Sequence, residues 1–358
     1  MDKRRGGVAH RRHHCEVPNS MTLSRGPGRD LMLVTGGAGF IGSNIARALA
    51  AGGRRVVVAD WLEDGPKWRN IADIPLYDVI RPEAVESFVT REGGRLGGIV
   101  HMGAISATTE RDGDKIVARN IRATLDLWAQ CAAKGLPFIF ASSGATYGDG
   151  SEGFADADDD GALSRLAPLN PYGWSKLFVD RRIMADVRAG RPCPPQYAGL
   201  RFFNVYGPGE AHKGDMRSVV HKIHPAAAAG ESVTLFKSHN PAYGDGGQLR
   251  DFIHVRDCVG VVQWLLENPQ VSGIFNVGTG QARSFADLAK AVFAALGREP
   301  RITYVDMPEH LRGAYQYFTQ AEMGKLRAAG YTAPFTSLEE GVASYVTGHL
   351  SGRNEATP

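Results

Sequence analysis

A short apolar run, Leu31–Thr35, passes into Gly36, Gly39 and Gly42 and then into a helical pattern that lasts to Ala51. Few local patterns restrict a fold as strongly. Glycines at these positions let the chain turn sharply after a strand and bring backbone N–H groups against a pyrophosphate. The helix that follows aims its positive end at the same place. The pattern carries meaning only between a strand and a helix, and here it has both neighbours. Its spacing is Gly-x-x-Gly-x-x-Gly rather than Gly-x-Gly-x-x-Gly. Arg55–Asp60 reads as the next strand, ending in a carboxylate able to accept hydrogen bonds from an adenosine ribose. An acid there favours NAD, because it repels a 2′-phosphate. Lys67, seven residues on, compensates such a phosphate, so the chemistry alone leaves NAD and NADP open.

Further strand-like runs follow at Gly98–His101, Pro137–Ser142 and Tyr197–Phe203, with a helical stretch at Asp114–Ala133. Strand, crossover helix and strand in repetition predict an α/β fold: a Rossmann-type doubly wound parallel sheet. Beyond Asn204 the pattern is less regular, with a loop at Ala242–Gly247 and helices expected at Ser284–Leu296 and Ser337–Leu350. A smaller C-terminal α/β substrate-binding lobe is expected there. The division is residues 1–29 as a disordered basic leader, 30–203 as the dinucleotide-binding unit with later segments returning to it, 204–350 mainly as the lobe, and 351–358 as a tail. With 358 residues the chain has the size for this arrangement.

Charge is unevenly placed. Residues 1–29 hold seven Lys/Arg against Asp2 and Glu16, whereas the remainder holds 34 basic and 36 acidic side chains. The body offers no compositional case for nucleic acid. No apolar run reaches the roughly 18 residues of a membrane span, and the leader lacks the apolar stretch of a secretory signal. Cys15, Cys131, Cys193 and Cys258 are scattered, with no metal-ligand spacing, and read as reduced thiols of a cytoplasmic protein. No metal site is expected.

Met102-Gly103-Ala104-Ile105-Ser106 follows the strand ending at His101, where small residues leave room for a cofactor. His101 itself reads as a hydrogen-bonded structural histidine. Tyr172-Gly173-Trp174-Ser175-Lys176 sets a phenol and an ammonium four residues apart, on one face of a helix. A cation beside a phenol favours phenolate and makes tyrosine a usable acid/base. Ser142 and Ser143 end the preceding strand, where a serine can hydrogen-bond the hydroxyl that the tyrosine deprotonates.

These elements arrive in order behind the glycine loop. Through TGGAGFIGS, ASSGATYG, NPYGWSK, FFNVYGPGE and RDFIHV the chain resembles the extended short-chain dehydrogenase/reductase family. Within it, HMGAISATTE, FNVYGPGEAHKGDM, SGIFNVGTGQARSF, AYQYFTQAE and RAAGYTAPF resemble the branch that epimerises ADP-heptose at C6, over about Leu31 to Leu350. The resemblance implies a tightly bound NADP, one per subunit, a 6-keto intermediate, and a product used for the lipopolysaccharide core. It also implies a homo-oligomer with ADP-heptose as its partner, without nucleic acid or membrane.

The same resemblance assigns acid/base roles to Tyr172 and Lys213 on opposite faces of C6, with Ser143 as the active-site serine. Lys176 then holds the nicotinamide ribose and tunes the tyrosine. Lys213 also reads more plainly as a loop lysine facing a phosphate or solvent. Cofactor contacts carry over to Gly36, Gly39, Phe40, Ile41, Gly42, Asp60, Trp61, Lys67, Met102, Gly103, Ala104, Ile105, Ser106, Asn120, Lys176, Val205 and Lys213. Substrate contacts carry over to Asn204, Phe236, Arg250 and Tyr315. Arg250 suits a diphosphate, because its planar fork donates two hydrogen bonds; its alternative is an ion pair with neighbouring Asp251. The chain departs from the family at Trp61 (asparagine is usual), Asp215 (serine), Lys222 (histidine) and the longer loop Ser238–Gln248. A 4-epimerase remains the competing reading. A 4,6-dehydratase is disfavoured because Gly144 and Ala145, not an acid pair, follow Ser143. An inactive NADP-binding protein is disfavoured by the presence of both Tyr172 and Lys176.

Overall fold

The computed structural model describes residues 28–312 and 316–352. Seven parallel strands form the main sheet: β1 (Leu31–Thr35), β2 (Arg55–Ala59), β3 (Asp78–Ile80), β4 (Leu96–His101), β5 (Phe138–Ser143), β6 (Tyr197–Phe202) and, much later, β10 (Gly273–Val277). Their spatial order is β10-β6-β5-β4-β1-β2-β3. Helices cover both faces, so β1 and β6 are buried along their whole length, and β1 reads as an apolar run without alternation. One face packs Leu33, Val57, Ile99, Phe138 and Phe140 against Trp128 and Leu177. The other packs Val34, Val58, Val100 and Ile139 against Ile45, Leu49, Val259 and Val262.

Strand order reverses between β1 and β4, and the crevice at their carboxyl ends is where such a sheet takes a ligand. A β-carbon on Gly36 would lie 2.5 Å from the backbone nitrogen of Gly103, and one on Gly42 only 2.1 Å from the Gly36 carbonyl. Gly36 also has φ +63°. Only glycine allows the β1 turn, the β4 turn and the first helix (Phe40–Ala51) to meet this closely.

The strand series ending along the chain at Tyr197–Phe203 is extended in space by β10, which pairs with β6 from Gly273↔Ala198 to Val277↔Phe202. β3 was not anticipated. It has three residues, sits at the sheet edge and exposes Val79, so it has no apolar pattern to read. The helical stretch after β4 divides into Gly113–Ile116, a wide π turn over Val117–Arg122, and Ala123–Lys134. Segments on both sides of β10 along the chain build a small sheet, β7 (Asn204–Tyr206), β9 (Leu249–His254) and β11 (Ala282–Ser284), and a pair, β8 (Val233–Phe236) with β12 (Ile302–Val305). Helices Val219–Ala229, Phe285–Ala295 and Leu338–Tyr345 close a separate core around Val220, Leu235, Phe252, Val292 and Val342. No described helix is long and apolar enough to cross a membrane. Cys131 and Cys258 are free and buried, as expected of reduced thiols, but Cys193 is disulfide-bonded; scattered spacing carries no pairing signal.

A polar chain runs through the core. Arg201 on β6 donates from Nε to Asp180 Oδ2 (3.0 Å) and from Nη1 to the Tyr147 hydroxyl (3.0 Å), and both charged side chains are fully buried. Ser142 donates to the same carboxylate oxygen of Asp180 at 2.9 Å. Tyr147 donates in turn to Asn276 Oδ1 on β10 at 2.6 Å. Burial pushes the Asp180 carboxyl above its usual range, and Arg201 opposes that shift. Removing one member leaves a buried charge alone. Arg201→Met is therefore expected to lower the unfolding free energy by about 3–5 kcal/mol in urea titrations. The double variant Asp180→Leu/Arg201→Met should recover part of that loss.

Candidate functional site

A cavity of about 790 Å³ opens at the switch point. Its floor is the glycine loop with Gly36, Gly39, Phe40, Ile41 and Gly42. The first helix begins at Gly39 with no side-chain cap and no acid in its first turn, so its leading N–H groups face the cavity without a competing side chain. That arrangement fits a pyrophosphate, and the close glycine contacts leave no space for side chains in its place.

Asp60 directly follows β2 in a buried position. Its Oδ2 accepts from Ala38 N at 2.9 Å, and its Oδ1 accepts from Lys67 Nζ at 2.6 Å. Lys67 also donates to the Trp61 carbonyl at 3.1 Å. The lysine expected to answer a phosphate thus already neutralises the acid that would repel one. Trp61, Asp60 and Lys67 all line the cavity, as do Met102, Gly103, Ala104, Ile105 and Ser106 on the opposite wall.

Asn120 does not line the cavity. Its Oδ1 accepts from Ile105 N (2.8 Å), and its Nδ2 donates to Ile105 O (3.0 Å) and Ser175 Oγ (3.1 Å). The side chain is spent on holding the wall at Ile105, and the π turn is what brings it inward. His101 bridges Thr35 Oγ1 (2.6 Å) and Thr124 Oγ1 (3.0 Å). Burial, helped by the Lys176 charge, lowers its pKa to about 3, which keeps it neutral and structural as the sequence suggested.

At the other end, helix Pro171–Arg188 carries Tyr172 and Lys176 to the cavity, started by Asn170, whose Oδ1 accepts from Gly173 N at 2.8 Å. Lys176 Nζ donates to the Ala141 carbonyl at 2.8 Å, and burial lowers its pKa to about 8 against the opposing charge of Asp180. The expectation of a phenol shifted downward by a neighbouring cation is not met. Burial raises the Tyr172 pKa, and the countering influence is a hydrogen bond with Ser143. Both serines line the cavity, but Ser142 donates to Asp180 whereas Ser143 pairs with Tyr172.

Lys213 reaches the cavity from the turn Ala211–Met216, as does Val205 from β7. Its ammonium stands 5.4 Å from the centre of the Phe40 ring. Burial lowers its pKa, opposed by Glu210. Glu210 is itself buried and anchors the loop, accepting from Ser218 Oγ at 2.6 Å and from the Ser218 backbone N–H.

The expected substrate contacts are placed differently. Asn204 is exposed at the start of β7, Phe236 ends β8, and neither lines this cavity. Arg250 is buried, donating to the carbonyls of Leu249 (2.8 Å) and Gln316. Asp251 accepts instead from the backbone N–H groups of Thr279, Gly280 and Ala321. Tyr315 lies outside the described residues. Cavity residues not foreseen include Glu83 and Arg119, which sit on turns with no motif of their own, and His212, which directly precedes Lys213.

The profile of the NAD dependent epimerase/dehydratase family matches residues 32–278. The chain belongs to that family. Among family members, the ADP-L-glycero-D-manno-heptose-6-epimerase of Nitratidesulfovibrio vulgaris is 49% identical over 324 residues, covering 90% of this chain and 98% of that relative. The crystal structure of the Helicobacter pylori ADP-L-glycero-D-manno-heptose-6-epimerase superposes with TM-score 0.73 at 28% identity, covering 89% of this chain and 96% of that one. The Thermus thermophilus UDP-glucose 4-epimerase in complex with NAD superposes with TM-score 0.70 at 28% identity, covering 90% and 99%. The glycine loop, Tyr172, Lys176 and Lys213 of this family member thus share one cavity.

His101 supplies a test of how the wall is held. Its folded pKa lies below the unfolded value of 6.5, so the unfolded chain binds the proton first as pH falls. Stability is then expected to decline below pH 6.5 by about 1.4 kcal/mol per pH unit from this group. Urea unfolding at pH 7.0, 6.0 and 5.0 measures it, and His101→Asn should flatten the slope by close to one proton.

Proposed function

We propose that the chain inverts C6 of the heptose in ADP-D-glycero-β-D-manno-heptose, giving the L-glycero epimer used for the lipopolysaccharide core, through a 6-keto intermediate with bound NADP. The observation that carries this reading is that Tyr172 and Lys213, from different elements, line one cavity together with the glycine loop. Relatives bearing the heptose 6-epimerase name match nearly their whole length, which supports the C6 epimerase activity itself. A nicotinamide cofactor agrees with the family and with the NAD in the Thermus structure; NADP is the finer part of the proposal.

Gly36, Gly39, Gly42 and the start of the first helix would hold the pyrophosphate, with Asp60 and Lys67 at the adenosine ribose. Bound there, the nicotinamide supplies a reversible hydride acceptor. The chain's own work is to move the C6 hydroxyl proton on one face and return it on the other. Tyr172 stays protonated at neutral pH because burial raises its pKa, and Ser143 eases its deprotonation when it acts as a base. Lys213, with its pKa lowered by burial, is suited to proton exchange nearer neutrality on the second face. Lys176 stays largely protonated at pH 7 and, held on Ala141 O, positions the ribose.

Tyr172→Phe and Lys213→Met should each cut epimerisation by about 10²–10⁴, followed by resolving the two epimers after incubation with ADP-heptose. With a substrate already carrying a C6 carbonyl, and the hydride supplied by loading the site with NADPH, the two variants should form opposite epimers. Turnover of Lys213→Met at nearly the parental rate, with only weaker cofactor retention, would assign Lys213 to a phosphate instead. Turnover of UDP-hexoses in place of ADP-heptose would return the 4-epimerase reading. For the cofactor, the nucleotide released on denaturation should have the mass of NADP. Lys67→Glu should weaken NADP much more than NAD, and equal losses remove Lys67 from the 2′ position.

A further inference from the structure

At its Asp60 end the cavity lacks net positive charge for a ribose 2′-phosphate. Lys67 lies 2.6 Å from the Asp60 carboxylate, so the two cancel. Of the other Lys and Arg side chains among the described lining residues, Lys176 is bound to Ala141 O and Lys213 stands over Phe40. The remaining one is Arg119. Its guanidinium carbon lies 4.4 Å from the centre of the Trp61 ring, and Trp61 directly follows Asp60. That ring is fixed from the far side, because its indole N–H donates to Glu83 Oε1 at 2.8 Å. The second oxygen of Glu83 faces Arg81 at 3.6 Å, and the Glu83 charge is shared between Arg81 and Arg119 at a solvent-exposed position that screens it. Glu63, exposed at the rim, is screened by solvent. A guanidinium over an indole face spends no N–H on the contact, so its donors remain available to the oxygens of a phosphate.

We infer that Arg119 is a specificity-determining residue: stacked on Trp61, it forms with Lys67 the site for the phosphate on the adenosine ribose, and so selects NADP over NAD. This rests on the cavity being the dinucleotide site. It also gives a use to Trp61, where asparagine is usual in the family that the sequence resembles.

The test is calorimetric titration of full-length protein stripped of nucleotide, with adenosine 2′,5′-bisphosphate and 5′-AMP as probes and NADPH and NADH beside them. Arg119→Ala is expected to weaken the bisphosphate by about tenfold or more and 5′-AMP by less than about twofold, with NADPH and NADH diverging likewise. Arg119→Lys should regain part of the loss. Equal losses for both probes, no loss for either, or a lysine that regains nothing would overturn the inference. Arg119 is exposed, so the substitution leaves the core untouched. If the unaltered protein binds none of the four ligands, the dinucleotide reading itself fails, which is a different result from a failure of Arg119.

Discussion

The approach of Gly36 to Gly103 is the contact on which the site depends. With a β-carbon at Gly36 placed 2.5 Å from the Gly103 nitrogen, the ends of β1 and β4 are as close as two backbones allow, and the crevice between them has a fixed width. Thr35 ties the same two strands through His101, and Asn120 holds the continuation of β4 at Ile105. One side of the cavity is therefore built from backbone, and side chains enter mainly at its two ends. Such a wall has little side-chain entropy to lose when a ligand arrives.

The opposite end is organised by charge in the core. Asp180 and Arg201 are costly to bury, yet their bonds reach Ser142 near the end of β5, the helix of Tyr172, and β10 through Tyr147 and Asn276. Asp180 Oδ1 and Arg201 Nη2 make no hydrogen bond, but the bonds the other atoms make are directional and fix how the strands and helix meet. The positions of Tyr172, Ser143 and Lys176 inherit that arrangement.

Much of this was readable in the sequence because the motifs are local. The β1 run, the glycine loop and Asp60 lie within thirty residues, and the Tyr172–Lys176 spacing is one helical turn. Local backbone preference decides such features before any packing does. The misses at the site are matters of tertiary packing. Asn120 looks like a ligand contact until the π turn carries it under Ile105. The Tyr172 phenol looks as if a cation should lower its pKa, but burial outweighs that. Arg250 looks like a free fork, whereas its guanidinium donates to main-chain carbonyls. Arg119 belongs to no motif and gains significance only because the fold lays it on Trp61.

The late return of β10 has a consequence for the birth of the molecule. Until residues 273–277 have emerged from the ribosome, β6 is the rim of the sheet, with six core residues and one row of unpaired main-chain groups facing solvent. Arg201 and Tyr147 wait for the same event, since Asn276 is the far end of their chain. A nascent chain stalled in the part of the small lobe that precedes β10 would present a sticky edge of the kind that mature proteins cover. Quality control by proteases and chaperones thus has a long window on this protein, and it closes only when the last strand docks.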